Sequence, residues 1–176
     1  STGLYTVWNT DSSGNFTSTL VTGVSGTNVI LDGVIGANVI DTNGSTSLVE
    51  VGNNFYLNSV SSGSGPELKY GGPAVVAGQF GGWTPFAVVQ TATGYEVALK
   101  VPGADQYSVW TVDGNGNYLG STPALSGASA TFESYELGFH QDLNGDGVIG
   151  PITTVIDTNG STSLVEVGNN FYLNSV

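Results

Sequence analysis

The sequence predicts an all-β protein, with short antiparallel strands and hairpins forming a β-sandwich or partly open barrel in each of several tandem repeats. Three observations carry this. Runs rich in Val, Thr, Tyr and Phe alternate with clusters of Gly, Asn, Asp and Ser, the pattern of brief strands joined by tight turns. No segment keeps a 3.6-residue apolar period for more than about two turns, so helix has no sustained signal. Residues 39–60, VIDTNGSTSLVEVGNNFYLNSV, recur unchanged as residues 155–176, an offset of 116 residues. That period is the size of a small domain, well beyond the roughly 20 to 50 residues of a solenoid repeat.

In chain order, LYTVWN and FTSTLVT flank Asp11-Ser-Ser-Gly14 and predict a first hairpin. SLVEV and FYLNSV flank Gly52-Asn-Asn54, where Gly and Asn tolerate the positive φ of a hairpin turn, and the copy at Gly168-Asn-Asn170 reads alike. The stretches SSGSGP (61–66) and GGP (71–73) read as loops within one module. FAVVQTA and YEVALKV pair across Thr93-Gly94, with Glu96 and Lys100 on one face, since strand side chains alternate. YSVWTV and NYLGST pair around Asp113-Gly-Asn-Gly116.

Two further echoes place the module boundaries. LYTVWNTDSSGNF from Leu4 returns in similar letters as QYSVWTVDGNGNY from Gln106, and DGVIG occurs at both 32–36 and 146–150. The expected division is residues 1–36 as the C-terminal part of a preceding module, 37–150 as one complete module, and 151–176 as the N-terminal part of a following one.

Composition narrows the partners. Fourteen acids face two bases, Lys69 and Lys100, for a net charge of −12. A phosphate backbone would be repelled, so nucleic acid is excluded as a partner and anionic membrane surfaces are poor ones. No apolar run approaches the ~20 residues of a membrane span, so no membrane insertion is expected. There is no cysteine, hence no disulfide framework and no thiolate metal site. Only 9% of residues are charged, so Ser, Thr, Asn and Gly must keep the surface wet, a style that leans towards an exported protein.

The sharpest chemical signal is Asp142-Leu-Asn144-Gly-Asp146-Gly147. Oxygen-bearing side chains at loop positions one, three and five converge when the chain turns at a glycine in position six, the cage a hard cation such as Ca²⁺ needs. Val148 would add its backbone carbonyl as the seventh position. The acid of position twelve is absent, since Thr153 stands there, so this is the first half of an EF-hand loop. Another carboxylate must close the shell, and Glu136 upstream and Asp157 downstream are the candidates. One copy earlier, Asn28, Ile30 and Asp32 fall opposite Asp142, Asn144 and Asp146, and Ile30 cannot ligate, so one loop site is expected. Asp11, Asp41, Asp113 and Asp157 begin weaker look-alikes that read as hairpin tips, because Asp and Asn build such turns by bonding their own backbone.

Catalytic patterns are missing. His140, the only histidine, sits beside the loop in a structural role, with no Gly-x-Ser-x-Gly elbow to accompany it. Glu133 and Glu136, read as strand residues three apart, would face opposite sides and make no glycosidase pair. Trp8 and Trp110 share one repeat position and read as core. Trp83, in Phe80-Gly-Gly-Trp-Thr-Pro85, is the better candidate for an exposed ring that stacks on a glycan.

The succession LVEVG…FYL, LKYGG, GGWTP, GYEVALK, YSVWTVDGNGNY and FHQDLNGDG, spanning nearly all of 39–150, resembles the tryptophan-rich C-terminal repeat domain of large bacterial exported proteins. Members often accompany hemolysin-type calcium-binding repeats in type 1 secreted proteins. The resemblance therefore implies export without an N-terminal leader, to the cell surface or beyond it. One departure is Leu99, where the family's pattern has tryptophan. No enzymatic activity is implied. The expected role is a non-enzymatic structural or adhesive module of a calcium-stabilised extracellular surface or filament protein. Its partners would be neighbouring copies of the repeat, joined by β-strand addition. The alternative is a carbohydrate-binding module appended to an exported enzyme.

Overall fold

The computed structural model describes residues 4–10, 12–25, 37–167 and 170–175. Among them are twelve strands and one helix. A hairpin of β1 (Leu4–Thr10) and β2 (Phe16–Ser25) precedes a meander of β3 (Ala37–Asn43), β4 (Thr46–Val51) and β5 (Asn54–Ser59). A four-stranded sheet follows, β6 (Thr84–Gln90), β7 (Gly94–Lys100), β8 (Tyr107–Asp113) and β9 (Tyr118–Ser121), then the helix α1 (Ala130–Phe139). The chain continues into a second meander, β10 (Thr153–Asn159), β11 (Thr162–Val167) and β12 (Asn170–Ser175). Every pairing between these strands is antiparallel and every sheet is open, so the all-β expectation holds in its sandwich form. The hairpins form where glycine permits a left-handed turn, for example at Gly44 (φ 56°) and Gly52 (φ 63°).

Strand alternation gives the four-stranded sheet two apolar faces. One face, with Val88, Val97, Leu99, Trp110 and Val112, packs against Leu48, Phe55 and Leu57 of the first meander. The other, with Ala87, Ala98 and Val109, packs against Phe132 and Phe139 of α1 and against Leu143. Burying each large side chain contributes about 1.5–3 kcal/mol, so the meander is held chiefly by its three core residues.

Polar contacts fix where it sits. The edge strand β6 would leave the Val88 N–H unpaired, but that N–H donates to Asp41 Oδ2 at 2.9 Å. The Gln141 amide donates to Asp41 Oδ1, Asn43 donates to the Phe139 carbonyl, and Ser45 donates to Gln90. Asp41, expected at a hairpin tip, is thus a seam residue between the meander and the sheet.

Residues 64–76 lie along the free edge of β5 as a strap. Leu57 donates its N–H to the Pro66 carbonyl at 2.9 Å, and Leu68 donates to the Phe55 carbonyl at 2.8 Å. The fit is close: a Cβ at Gly65 would lie 1.8 Å from the Leu57 carbonyl oxygen. Gly65→Ala is expected to destabilise the protein by about 1–3 kcal/mol through this overlap, read as a lower urea midpoint.

The helix is the element that apolar spacing missed. Ser129 caps its first turn by accepting from the Phe132 N–H, and His140 ends it in the left-handed region at φ 53°, donating its N–H to the Glu136 carbonyl. Its buried stripe is Phe132, Glu133, Glu136 and Phe139, in which two members are carboxylates. Glu133 and Glu136 therefore do not face opposite sides, as a strand would require; they share one helix face, and burial now separates both from any substrate.

The tryptophans divide. Trp110 is 8% exposed, in the core as expected, whereas Trp8 is 61% exposed and meets Phe16 edge to face. The second meander differs from the first in the same way. Phe171 and Leu173 are 62% and 76% exposed, whereas Phe55 and Leu57 are 2% and 0%.

Candidate functional site

The loop after α1 is coiled by its own aspartates. Asp142 Oδ1 accepts from the N–H groups of Gly145 at 2.7 Å and Asp146 at 3.2 Å, and Oδ2 accepts from Gly147 at 2.8 Å. Asn144 Oδ1 accepts from the Asp146 N–H, and Asp146 Oδ1 accepts from the Val148 N–H. Gly145 and Gly147, at φ 83° and 89°, make the turn of the loop. The Asn144 amide donates to the Gly127 carbonyl and so ties the loop to the start of the helix.

The donor set is oxygen only, which suits a hard cation. Among the described residues no group of three His, Asp or Glu side chains is gathered around one point. A cation here would therefore depend on Asn144 and the Val148 carbonyl as well as on Asp142 and Asp146. Neither lysine is bonded to the loop: Lys69 donates to the Asn115 carbonyl and Lys100 lies 4.7 Å over the Phe86 ring.

The two shell-closing candidates are placed differently from each other. Glu136 is fully buried beneath the loop, and its Oε1 accepts from the Leu143 and Asn144 N–H groups at 2.9 and 3.2 Å. Its Oε2 accepts from the Gly150 N–H at 2.9 Å, so one carboxylate ties down both ends of the loop. Asp157 lies on β10, exposed, with its Oδ1 on the N–H of Thr158. Asn28, Ile30 and Asp32, the positions opposite the loop one copy earlier, lie outside the described residues, as does Asp11.

Glu133, which the strand reading sets aside as half of an acid pair, lies inside the fold. It is 2% exposed, and its Oε2 has no hydrogen-bond partner. Burial pushes its pKa up, the negative charges of Asp146 and Glu136 push it further, and the Ile152 N–H offsets part of the rise. The folded state thus holds this proton to higher pH than the unfolded chain does, so stability falls as pH climbs above the ordinary carboxylate range. Glu133→Gln is expected to stabilise the metal-free protein by about 1 kcal/mol at pH 7 and by less at pH 4, measured by urea unfolding at both values. The Ser129 cap, three residues before Phe132, was the one signal that could have revealed this face as helical.

The look-alike at Asp113 closes on itself: Oδ1 accepts from the N–H groups of Asn115 and Asn117, a hairpin tip as expected. Hydrogen bonds from the Asn117 side chain and backbone hold its pKa below the usual carboxylate range.

Trp83 is half-buried. It lines a cavity of about 260 Å³ with Tyr70, Phe80, Trp110 and Tyr118, whose rings meet edge-on or tilted at 4.8–5.8 Å. The geometry thus gathers into one aromatic pocket a residue that the sequence placed alone in a glycine-rich loop.

No helix among the described residues is long and apolar enough to cross a membrane. Neither the curated proteins nor the solved structures contain a match to the chain. Residues 46–150, from β4 through the aspartate loop, match the model of one family. The chain belongs to the family of the tryptophan-rich Synechocystis species C-terminal domain.

Proposed function

We propose that the chain is a non-enzymatic structural or adhesive module of a tandem array, exported to the bacterial cell surface or beyond it. The supporting observation is the second meander. It repeats in sequence a layer that is covered in the first copy, and it presents Phe171 and Leu173 bare. In an array, residues 153–175 form the first layer of the next module, and neighbouring copies are the partners. The unit joined includes a whole three-stranded meander packed by its face, beside the strand addition expected at its edges.

The aspartate loop lies between the helix of one module and β10 of the next, which is where a cation would stiffen the junction. Asp142, Asn144, Asp146 and the Val148 carbonyl are its proposed ligands, with Glu136 holding the loop from below. Export by a type 1 route, beside hemolysin-type calcium-binding repeats, belongs to the same reading. Extracellular sites of this kind bind Ca²⁺ at roughly 10⁻⁴ to 10⁻³ M. Small-angle scattering of a tandem chain should therefore report a stiffer, longer particle in millimolar Ca²⁺ than in EDTA. Identical profiles in the two solutions would remove the junction role.

The aromatic pocket favours a second reading, a carbohydrate-binding module, because clustered rings are what sugar faces stack on. Glycan-array binding that disappears in Trp83→Ala would establish it, and the absence of any glycan signal would leave the structural reading.

A further inference from the structure

Residues 155–176 repeat residues 39–60 letter for letter, so the side chains that hold the first meander in place are present a second time. Asp41, Asn43 and Ser45 engage Val88, Gln141, the Phe139 carbonyl and Gln90. Their counterparts Asp157, Asn159 and Ser161 lie on the surface. Both meanders share one register, including the same irregularity between Val39 and Asp41 and between Val155 and Asp157. They differ in what covers them.

We propose that the platform formed by β6–β9 and the C-terminal end of α1 is a binding site for either meander, and that residues 153–175 can take the place of residues 37–59. The chain can make the connection. Ile149 lines the same cavity as Asp41 and Gln141. Seven residues lie between Ile149 and Asp157, and the eight steps they make can span up to roughly 26 Å when extended. The strap at 64–76 bonds the backbone of β5, and in the exchanged state it would meet the same sequence in β12. Residues 155–175 repeat residues 39–59 exactly, so the contacts made from those positions cancel between the two docked states. The balance is left to loop closure, which changes slowly with loop length.

This exchange goes beyond the array reading, since it needs neither a neighbouring module nor a cation, and either can fail while the other stands. The chain contains no cysteine, so Leu173→Cys installs a single thiol on the bare face. Its alkylation rate is measured in the full chain, first with the remaining residues unchanged and then with Phe55→Asp, which expels the first meander. In the Phe55→Asp chain the platform is expected to stay folded by circular dichroism, while the thiol reacts at least about tenfold more slowly, as a buried site protected by local stability does. Adding Phe171→Asp is expected to abolish the fold. A Phe55→Asp chain that unfolds, a thiol that reacts equally fast in both backgrounds, or a chain that stays folded with both aspartates overturns the proposal. Protection that vanishes on dilution also overturns it, because the meander would then come from another molecule.

Discussion

The double variant Phe55→Ala/Phe171→Ala is expected to lose about 3–5 kcal/mol of stability, whereas Phe171→Ala alone changes it by no more than about 0.5 kcal/mol. The two phenylalanines occupy the same position of the same 22-residue string, and one is 2% exposed while the other is 62% exposed. Removing a buried ring forfeits its transfer from water and leaves a void against Leu48, Leu57 and the sheet beneath. Removing an exposed ring forfeits neither. Urea unfolding followed by tryptophan fluorescence reads both values. Phe55→Ala alone is the diagnostic member of the series: it matches the double variant if each meander is confined to its place, and falls short of it if the second copy moves in.

Glu136→Ala is expected to lose about 3–5 kcal/mol, because the side chain is fully buried and three backbone N–H groups depend on it. Leu143, Asn144 and Gly150 would each be left with a buried donor and no acceptor, at about 1–3 kcal/mol apiece before relaxation. Glu136→Gln should lie between the wild type and Glu136→Ala. Its amide oxygen can still accept, but its NH₂ group meets the second set of donors. The neighbouring carboxylate on the same helix face behaves with opposite sign. Glu133 has an oxygen without a partner, so neutralising it relieves the fold, whereas neutralising Glu136 injures it. Urea midpoints of the two glutamine variants moving in the same direction would refute this account of the stripe.

The hairpins were legible in the sequence because their causes are local. Gly44 and Gly52 sit where a left-handed turn is needed, and alternation carries Val97, Leu99, Trp110 and Val112 to one face. The aspartate loop was legible for the same reason, since its spacing is a property of six consecutive residues. The helix was not, because half of its buried stripe is glutamate and no apolar period records a carboxylate that is buried by its partners. Asp41 looked like the tip of a turn. Its role depends on Val88 and Gln141, 47 and 100 residues away, and no local pattern encodes such a pairing. Trp8 and Trp110 share the local pattern Tyr-x-Val-Trp, yet one is exposed and the other buried.

That Asp41 caps the Val88 N–H has a bearing on aggregation. β6 is the outer strand of its sheet, and an uncovered outer strand is a template for another chain's backbone. The meander therefore acts as a sheath for β6 as well as a layer of the core. A platform without a docked meander would expose a sticky edge together with the apolar face that Leu48, Phe55 and Leu57 had covered. Carrying the sheath's sequence twice in one chain keeps a replacement within reach whenever the edge is bared.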